Sequence, residues 1–248
     1  MNTVSIIIPT VGRLTLEKVL KNLLICEGIE EIQPEIFVVF DRNKRNISIE
    51  SELIQVLETK QKSYAAGARN LGLSKSTGDI IIFIGDNGTT GQVVQQYASQ
   101  RSKGSVYQGG INTPLIVSGA GVNRMNETDD AFVGTVDLFA TIADLAGTGT
   151  SEINDSKSIK RTFSEAGYLP KNYIYSEVGN TTNTNTDYTI RNATHKYIMF
   201  DDGSEALYDL LSNPFENPNL MAPQILPLSN ADSTIKAELE AEIVNIRM

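Results

Sequence analysis

The sequence predicts an α/β fold: a Rossmann-like, mostly parallel sheet with helices on both faces, plus a small C-terminal antiparallel sheet and a terminal helix. Three observations predict it. Short apolar runs end at Pro9-Thr10, at Asp41 and at Gly85, the texture of strands buried on both faces. Segments of helical period lie between them, as in strand–helix–strand units with right-handed crossovers. Beyond residue 170 the pattern becomes four short β-type runs separated by Asn- and Gly-rich turns, which is how an antiparallel meander reads.

The elements follow in order. Val4–Pro9 is the first strand. Thr15 can cap a helix in which Leu16, Val19, Leu20, Leu23 and Leu24 recur at helical spacing, with Gly28 as its stop. Glu35–Phe40 is the second strand. Ile49–Leu57 reads as a helix, and Tyr64–Ser76 contains a shorter one. Ile80–Ile84 is the third clear strand, followed by Gly85-Asp86-Asn87-Gly88. Residues 89–112 are polar and glycine-rich, without period. Pro114–Ser118 is another short strand. Thr135–Leu145 is apolar nearly all round, which predicts a buried helix stopped by Gly147. Residues 148–171 read as surface loop with one weak helix. The meander comprises Tyr173–Val178, Tyr188–Arg191, Lys196–Phe200 and Ala206–Leu210, with Asp201-Asp202-Gly203 as hairpin punctuation. Ile235, Leu239, Ile243 and Ile246 make the last amphipathic helix, with Asp232 or Ser233 as cap.

Composition narrows the function. The chain has 248 residues, 40% apolar, and a formal charge of −9, enough material for one or two domains of roughly 150 residues. The negative charge lies beyond residue 86, where 11 Lys/Arg face 19 Asp/Glu. Phosphate backbones need a basic surface, so nucleic acid is not the expected partner. One cysteine, Cys26, excludes an intrachain disulfide and a multi-cysteine zinc site. One histidine, His195, excludes sites that need two. No leader-like start and no apolar run approaching roughly 18 residues is seen. The expectation is a cytoplasmic chain without membrane contact.

Residues 1–86 resemble the front half of a family 2 glycosyltransferase of the GT-A fold. The residues that carry this are Val4-Ser5-Ile6-Ile7-Ile8-Pro9-Thr10-Val11-Gly12-Arg13, then Val38-Val39-Phe40-Asp41. Gly67-Ala68-Arg69-Asn70-Leu71-Gly72-Leu73 and Gly78-Asp79-Ile80-Ile81-Ile82-Phe83 follow in the same order and spacing. The resemblance implies a nucleotide or nucleotide-sugar (a uridine diphosphate sugar) near Pro9, Thr10 and Arg13, with Asp41 accepting hydrogen bonds from uracil or ribose. That agrees with the rule that ligands sit beyond the carboxyl ends of parallel strands, at the switch point of strand order. Where that family places an Asp-x-Asp motif for manganese or magnesium, this chain reads Gly85-Asp86-Asn87. The family's acceptor half has no counterpart downstream.

Residues 80–221 resemble the C-terminal portion of a sulfatase, in the alkaline phosphatase-like superfamily. The carrying segments are Ile82-Phe83-Ile84-Gly85-Asp86-Asn87-Gly88, Lys103-Gly104-Ser105 through Gly109-Gly110-Ile111-Asn112-Thr113-Pro114, and Val136-Asp137-Leu138-Phe139-Ala140-Thr141. Lys196-Tyr197-Ile198 and Leu207-Tyr208-Asp209-Leu210 with Asn213-Pro214-Phe215-Glu216-Asn217 complete them. The resemblance implies calcium on Asp86 and Asn87 and a sulfate-ester contact from Lys103. The departures are equally plain. The first strand ends Pro9-Thr10, without the paired aspartates. Cys26 is followed by Glu27-Gly28-Ile29-Glu30, which is not the formylglycine maturation motif. The acid–base histidines are missing.

These resemblances meet at Ile80–Gly88. They predict a chimera-like chain in which residues 1–86 and 87–147 share one sheet, Pro114–Ser118 extending it, and 170–248 form a separate antiparallel subdomain. The expected function is that of a sulfatase-like chain, catalytically incomplete, with no catalytic residue assigned. The alternatives are a nucleotide-sugar-binding glycosyltransferase remnant and a non-enzymatic module for a protein partner. Each site has a plainer reading beside it. Asp86-Asn87-Gly88 is ordinary turn chemistry. Asp41 can cap a turn while Arg13 is solvated. Lys103 can be a solvated loop lysine, His195 a satisfied turn histidine, and Cys26 a buried inert thiol.

Overall fold

A computed structural model describes residues 4–10, 15–25, 33–42, 46–62, 64–85, 88–179 and 186–247. The chain forms two compact units. The first holds Met1–Ile81, Ser118–Val122 and Ile142–Ser151, and the second Ile82–Val117, Asn123–Thr141 and Glu152–Met248. The fold is mixed α/β, as predicted.

The first unit is built on a parallel sheet of β1 (Ser5–Thr10), β2 (Glu35–Phe40) and β3 (Ile54–Glu58), in that order. β2 is central because it is apolar on both faces, and Ile36 to Phe40 are at most 1% exposed. Ile36, Val38 and Phe40 face α1 (Thr15–Leu24), where Leu16 and Leu20 are buried. Phe37 and Val39 face α2 (Tyr64–Leu73) through Ile7, Ala68 and Leu71. Helices therefore cover both faces. Gly72 makes the second contact close: a Cβ there would lie 2.4 Å from the Cγ2 of Ile7.

β3 corrects the helix expected over 49–57. Ile49, Leu53, Val56 and Leu57 have helical spacing, but Ile54 and Val56 pair with Ile36 and Val38 and join the α1 face. The open edge of β2 needs a partner for its backbone groups, and this outweighs a short periodic pattern.

The expected single sheet is also corrected. β4 (Ile80–Ile84) pairs with β5 (Leu115–Gly119) in a two-stranded sheet of its own. Gly85 N–H bonds the Pro114 carbonyl at 2.9 Å and Ala120 N–H bonds the Asp79 carbonyl at 2.8 Å, so the two strands run antiparallel. Among the described residues no ladder joins β4 to β1. Two local features account for this. β1 is an edge strand carrying Pro9, which has no N–H to offer a further neighbour. Gly119 adopts φ 122° and lets the Asp79 carbonyl approach to where a Cβ would be 2.1 Å away.

In the second unit, β8 (Ile174–Gly179), β9 (Thr186–Arg191), β10 (His195–Met199) and β11 (Glu205–Asp209) form the expected meander, antiparallel in the order β11-β10-β9-β8. Its hairpin turn at Asp201-Asp202-Gly203 has Gly203 at φ 83°. The terminal helix α4 (Asn230–Arg247) lays Leu239 and Ile243 on Ile190, Tyr197 and Leu207. Its cap is Ser229, not Asp232 or Ser233. Ser229 Oγ accepts the Asp232 N–H at 3.1 Å and donates to the Asp232 carboxylate at 2.6 Å, a side-chain N-cap one turn earlier than the apolar pattern suggests.

Helix α3 (Asp137–Leu145) is not buried all round, because Phe139 and Ile142 are exposed. Its anchor is polar. The Asp137 carboxylate, fully buried, accepts the N–H groups of Gly134 and Lys157 and pairs with the Lys171 ammonium at 2.7 Å. Residues 148–171 hold a two-residue ladder, β6 (Glu152–Ile153) with β7 (Ser156–Lys157), and a 3-10 turn at Lys160–Phe163. No helix among the described residues is long and apolar enough to cross a membrane.

Candidate functional site

In the first unit, the carboxyl ends of the parallel strands bring Thr10 and Asp41 together. Thr10 closes β1 opposite Phe40, one residue after Pro9, and its carbonyl accepts the Asp41 N–H at 3.2 Å. The Asp41 carboxylate is held by the Thr59 hydroxyl at 3.1 Å, and the same hydroxyl oxygen accepts the Arg42 N–H at 3.2 Å. Thr59 is tied to the end of β2 through its own N–H on the Phe40 carbonyl, 3.0 Å away. A half-buried aspartate is thus fixed at the tip of the central strand, its N–H by Thr10 and its carboxylate by Thr59 just past β3. This polar cluster can accept hydrogen bonds from a ligand's hydroxyl or N–H groups. Arg13 lies outside the described residues.

In the second unit, the surroundings of the β4 end can be described. Asp86 and Asn87 lie outside the described residues, as does Cys26, but the residues flanking the pair are tightly placed. Gly88 N–H bonds the Gly110 carbonyl at 2.9 Å, and Lys103 N–H bonds the Thr89 carbonyl at 2.9 Å. The residues that follow the β4 end, the Lys103 backbone and the Gly109-Gly110 segment therefore meet. The Lys103 side chain is exposed.

The calcium or manganese expectation can be set against these donors. Calcium takes about six to eight oxygens and magnesium near-octahedral coordination. Among the described residues no three His, Cys, Asp or Glu side chains gather in a metal-binding group. The carbonyls of Thr89 and Gly110 at this turn are already engaged by backbone N–H groups. Among the described residues no complete divalent site is assembled, and the two residues that would hold the ion, Asp86 and Asn87, lie outside them.

A third cluster escapes sequence reading. Lys196 and Glu216 are both fully buried and form an ion pair at 2.5 Å. Lys196 also donates to the Val106 carbonyl at 2.7 Å. The Glu216 carboxylate accepts the Gln108 N–H at 3.0 Å, and the Glu216 carbonyl accepts from the Arg101 guanidinium at 2.6 Å. Arg101 lies over the ring of Tyr107 at 4.7 Å. Burial pushes the Lys196 ammonium down to about 8, against the pull of Glu216, and raises the Tyr208 phenol. The cluster clips the 101–108 segment to the meander. The available signal was a lysine opening an otherwise apolar strand, Lys196-Tyr197-Ile198, with a glutamate in the Asn-Pro turn that follows the next strand. His195, expected as a satisfied turn histidine, is satisfied but opens strand β10 instead of lying in the turn: it contacts Thr194 Oγ1 at 2.8 Å and the Asp232 carboxylate at 3.1 Å.

Known proteins match this arrangement from two sides. Arylsulfatase K of Bos taurus is 27% identical over 179 residues, 68% of this chain and 32% of that protein. A sulfatase of Formosa agariphila is 28% identical over 185 residues, 68% of this chain and 33% of that one. This chain thus spans about a third of the length of the curated relatives it matches. Among solved structures, a Bacteroides thetaiotaomicron protein classed with the sulfatases superposes with a TM-score of 0.58 at 24% identity, covering 73% of this chain and 39% of that one. At that identity the likeness speaks for the fold. The family model for Sulfatase matches residues 68–148, and that for Glycosyl transferase family 2 matches residues 5–106. Their overlap, 68–106, is wider than the single strand Ile80–Gly88 at which the motifs meet. The chain is sulfatase-like by family model, relatives and fold, and carries a glycosyltransferase-2 match over residues 5–106, an arrangement consistent with a chimera.

Proposed function

We propose that this chain keeps the C-terminal scaffold of a sulfatase without its turnover, joined to a glycosyltransferase-2-like half. The observation that carries this reading is the second unit's own geometry. The meander, the Lys196–Glu216 clip and the seating of Lys103 beside the β4 end support the scaffold part of the reading, while the sequence carries no formylglycine motif for Lys103 to serve. Sulfate-ester hydrolysis of the sulfatase kind needs an activated nucleophile and proton-transfer groups. The chain has one histidine, engaged by Thr194 and Asp232, and no formylglycine motif. Asp86 and Asn87 are the proposed cation ligands, for calcium by the sulfatase likeness. The expected result is that 4-nitrophenyl sulfate, with or without millimolar calcium, is hydrolysed no faster than in buffer. Turnover that tracks the purified protein would overturn the reading, and its response to Asp86→Ala would show whether the β4-end pair takes part.

A second reading rests on the first unit. Asp41, held between Thr10 and Thr59 at the end of a parallel sheet, is placed to meet a ribose or uracil. Pro9, Thr10, Arg13 and Asp41 are its proposed residues, and a uridine nucleotide its ligand. Uridine diphosphate with manganese is expected to raise the melting temperature above a manganese control, since a ligand of the folded state stabilises it by mass action. Asp41→Ala should abolish the rise. An unmoved transition at millimolar nucleotide would count against this reading.

A further inference from the structure

We propose that Thr59 is the positioning residue of the strand-tip site in the first unit: its hydroxyl sets the Asp41 carboxylate for the ribose or base of a nucleotide and does not touch the ligand itself. The proposal rests on the second reading above, and adds a residue that lies outside every motif carrying the glycosyltransferase resemblance. Burial supplies the first observation. Thr59, the residue after β3, is 7% exposed, and it is the one buried polar side chain among the described residues of the first unit. A hydroxyl in such a place needs its hydrogen bonds made, whereas valine would fill the same volume at a strand end without that need. The bonds run to the Asp41 carboxylate, to which the hydroxyl donates at 3.1 Å, and to the Arg42 N–H, which it accepts at 3.2 Å.

Anchorage supplies the second observation. β2 and β3 stay in register up to the pair Phe40 and Glu58, and the Thr59 N–H continues onto the Phe40 carbonyl at 3.0 Å. The hydroxyl is thus fixed to the central strand through the backbone, on a short side chain. Backbone conformation supplies the third. Arg42 has φ 56°, in the left-handed region that a long side chain seldom enters, and Thr59 Oγ1 is the acceptor for that residue's N–H. Residues in such conformations persist where their surroundings over-determine them, and they gather at ligand sites. Asp41 is therefore held at its own N–H by the Thr10 carbonyl, at its carboxylate, and at the residue that follows it. Thr59 makes two of those three bonds. A carboxylate set in one orientation before binding loses less freedom when it meets a donor of uracil or ribose.

The test is calorimetric titration of the whole chain with uridine diphosphate and manganese, in wild type, Thr59→Val and Thr59→Ser, beside the melting temperature of each without nucleotide. Thr59→Val should bind about tenfold more weakly, as for the loss of a hydrogen bond to a charged group, and Thr59→Ser should stay within about twofold of wild type. Serine keeps the hydroxyl but loses the buried methyl, so its melting temperature should fall while its affinity does not. A hydroxyl that only stabilised the fold would make affinity follow melting temperature. If Thr59→Val does not fold, Thr59→Ala against Thr59→Ser repeats the comparison with the methyl gone from both. Unchanged affinity in Thr59→Val, with wild type binding, would overturn the positioning role and leave the nucleotide reading standing. Equal weakening in the valine and serine variants would overturn it too, because packing at this position and not the hydroxyl would set the affinity. A wild type that does not bind at millimolar nucleotide would overturn both.

Discussion

Lys196→Met is expected to destabilise the protein by about 3–5 kcal/mol, the cost of removing one partner from a buried ion pair. Glu216 would keep its Gln108 N–H bond but lose its charge partner in a site with no solvent access. Against a total stability of about 5–15 kcal/mol for a typical domain, that is a large share. The decisive comparison is the double variant Lys196→Met/Glu216→Gln. It removes both charges and keeps an acceptor for the Gln108 N–H, and replacing a buried pair by neutral groups is often close to neutral. Urea unfolding followed by circular dichroism should show the single variant's midpoint falling by roughly 1–5 M, given slopes of about 1–3 kcal/mol/M. The double variant should recover most of it. If both lose the same amount, lost packing of the lysine stem, not the stranded carboxylate, explains the effect.

That pair also marks how far the sequence could be read. β2 and β4 were legible to the residue, because a continuous apolar run with β-branched content has few other uses. The meander was legible because Asn- and Gly-rich turns punctuate it. β3 was not. Ile49, Leu53, Val56 and Leu57 satisfy a helical period, and the open edge of β2 that claims Ile54–Glu58 is invisible along the chain. The same holds for the sheet. An apolar β4 can join β1 or β5, and the choice turns on Pro9 at one edge and Gly119 at the other. At the sites, Thr10 and Asp41 could be placed at strand ends from their position after apolar runs. Thr59, which fixes the Asp41 carboxylate, could not, since β3 itself was misread. Lys196 and Glu216 stood in quoted motifs, but nothing local says that two charges 20 residues apart will share a dry site.

Gly110→Ala should cost about 1–3 kcal/mol, the range for forcing extra atoms into a packed site. The new Cβ would lie 2.2 Å from the Ser105 carbonyl oxygen and 2.7 Å from that of Ser102. These are backbone atoms in a hydrogen-bonded turn: Ser105 N–H bonds the Ser102 carbonyl, and Gly110 N–H bonds the Tyr107 carbonyl. The Ser102 oxygen cannot withdraw without breaking its bond to Ser105, and the Ser105 oxygen belongs to the same turn, so relief must come from shifting residues 108–111. That shift has two consequences the measurement can separate. The Gln108 N–H would move off Glu216, adding to the loss of stability. The Gly110 carbonyl would also release Gly88 N–H, loosening the turn that follows Asp86-Asn87. Hydrogen exchange at Gly88 should then accelerate more than exchange in β10. Gly134→Ala is the matched control: the nearest atoms to its Cβ are 3.5 Å away, at ordinary contact distance, and a change of no more than about 0.5 kcal/mol is expected. Equal behaviour of the two variants would mean that the glycine pair follows from local chain preference alone, and that the β4-end turn is not held by the close packing described here.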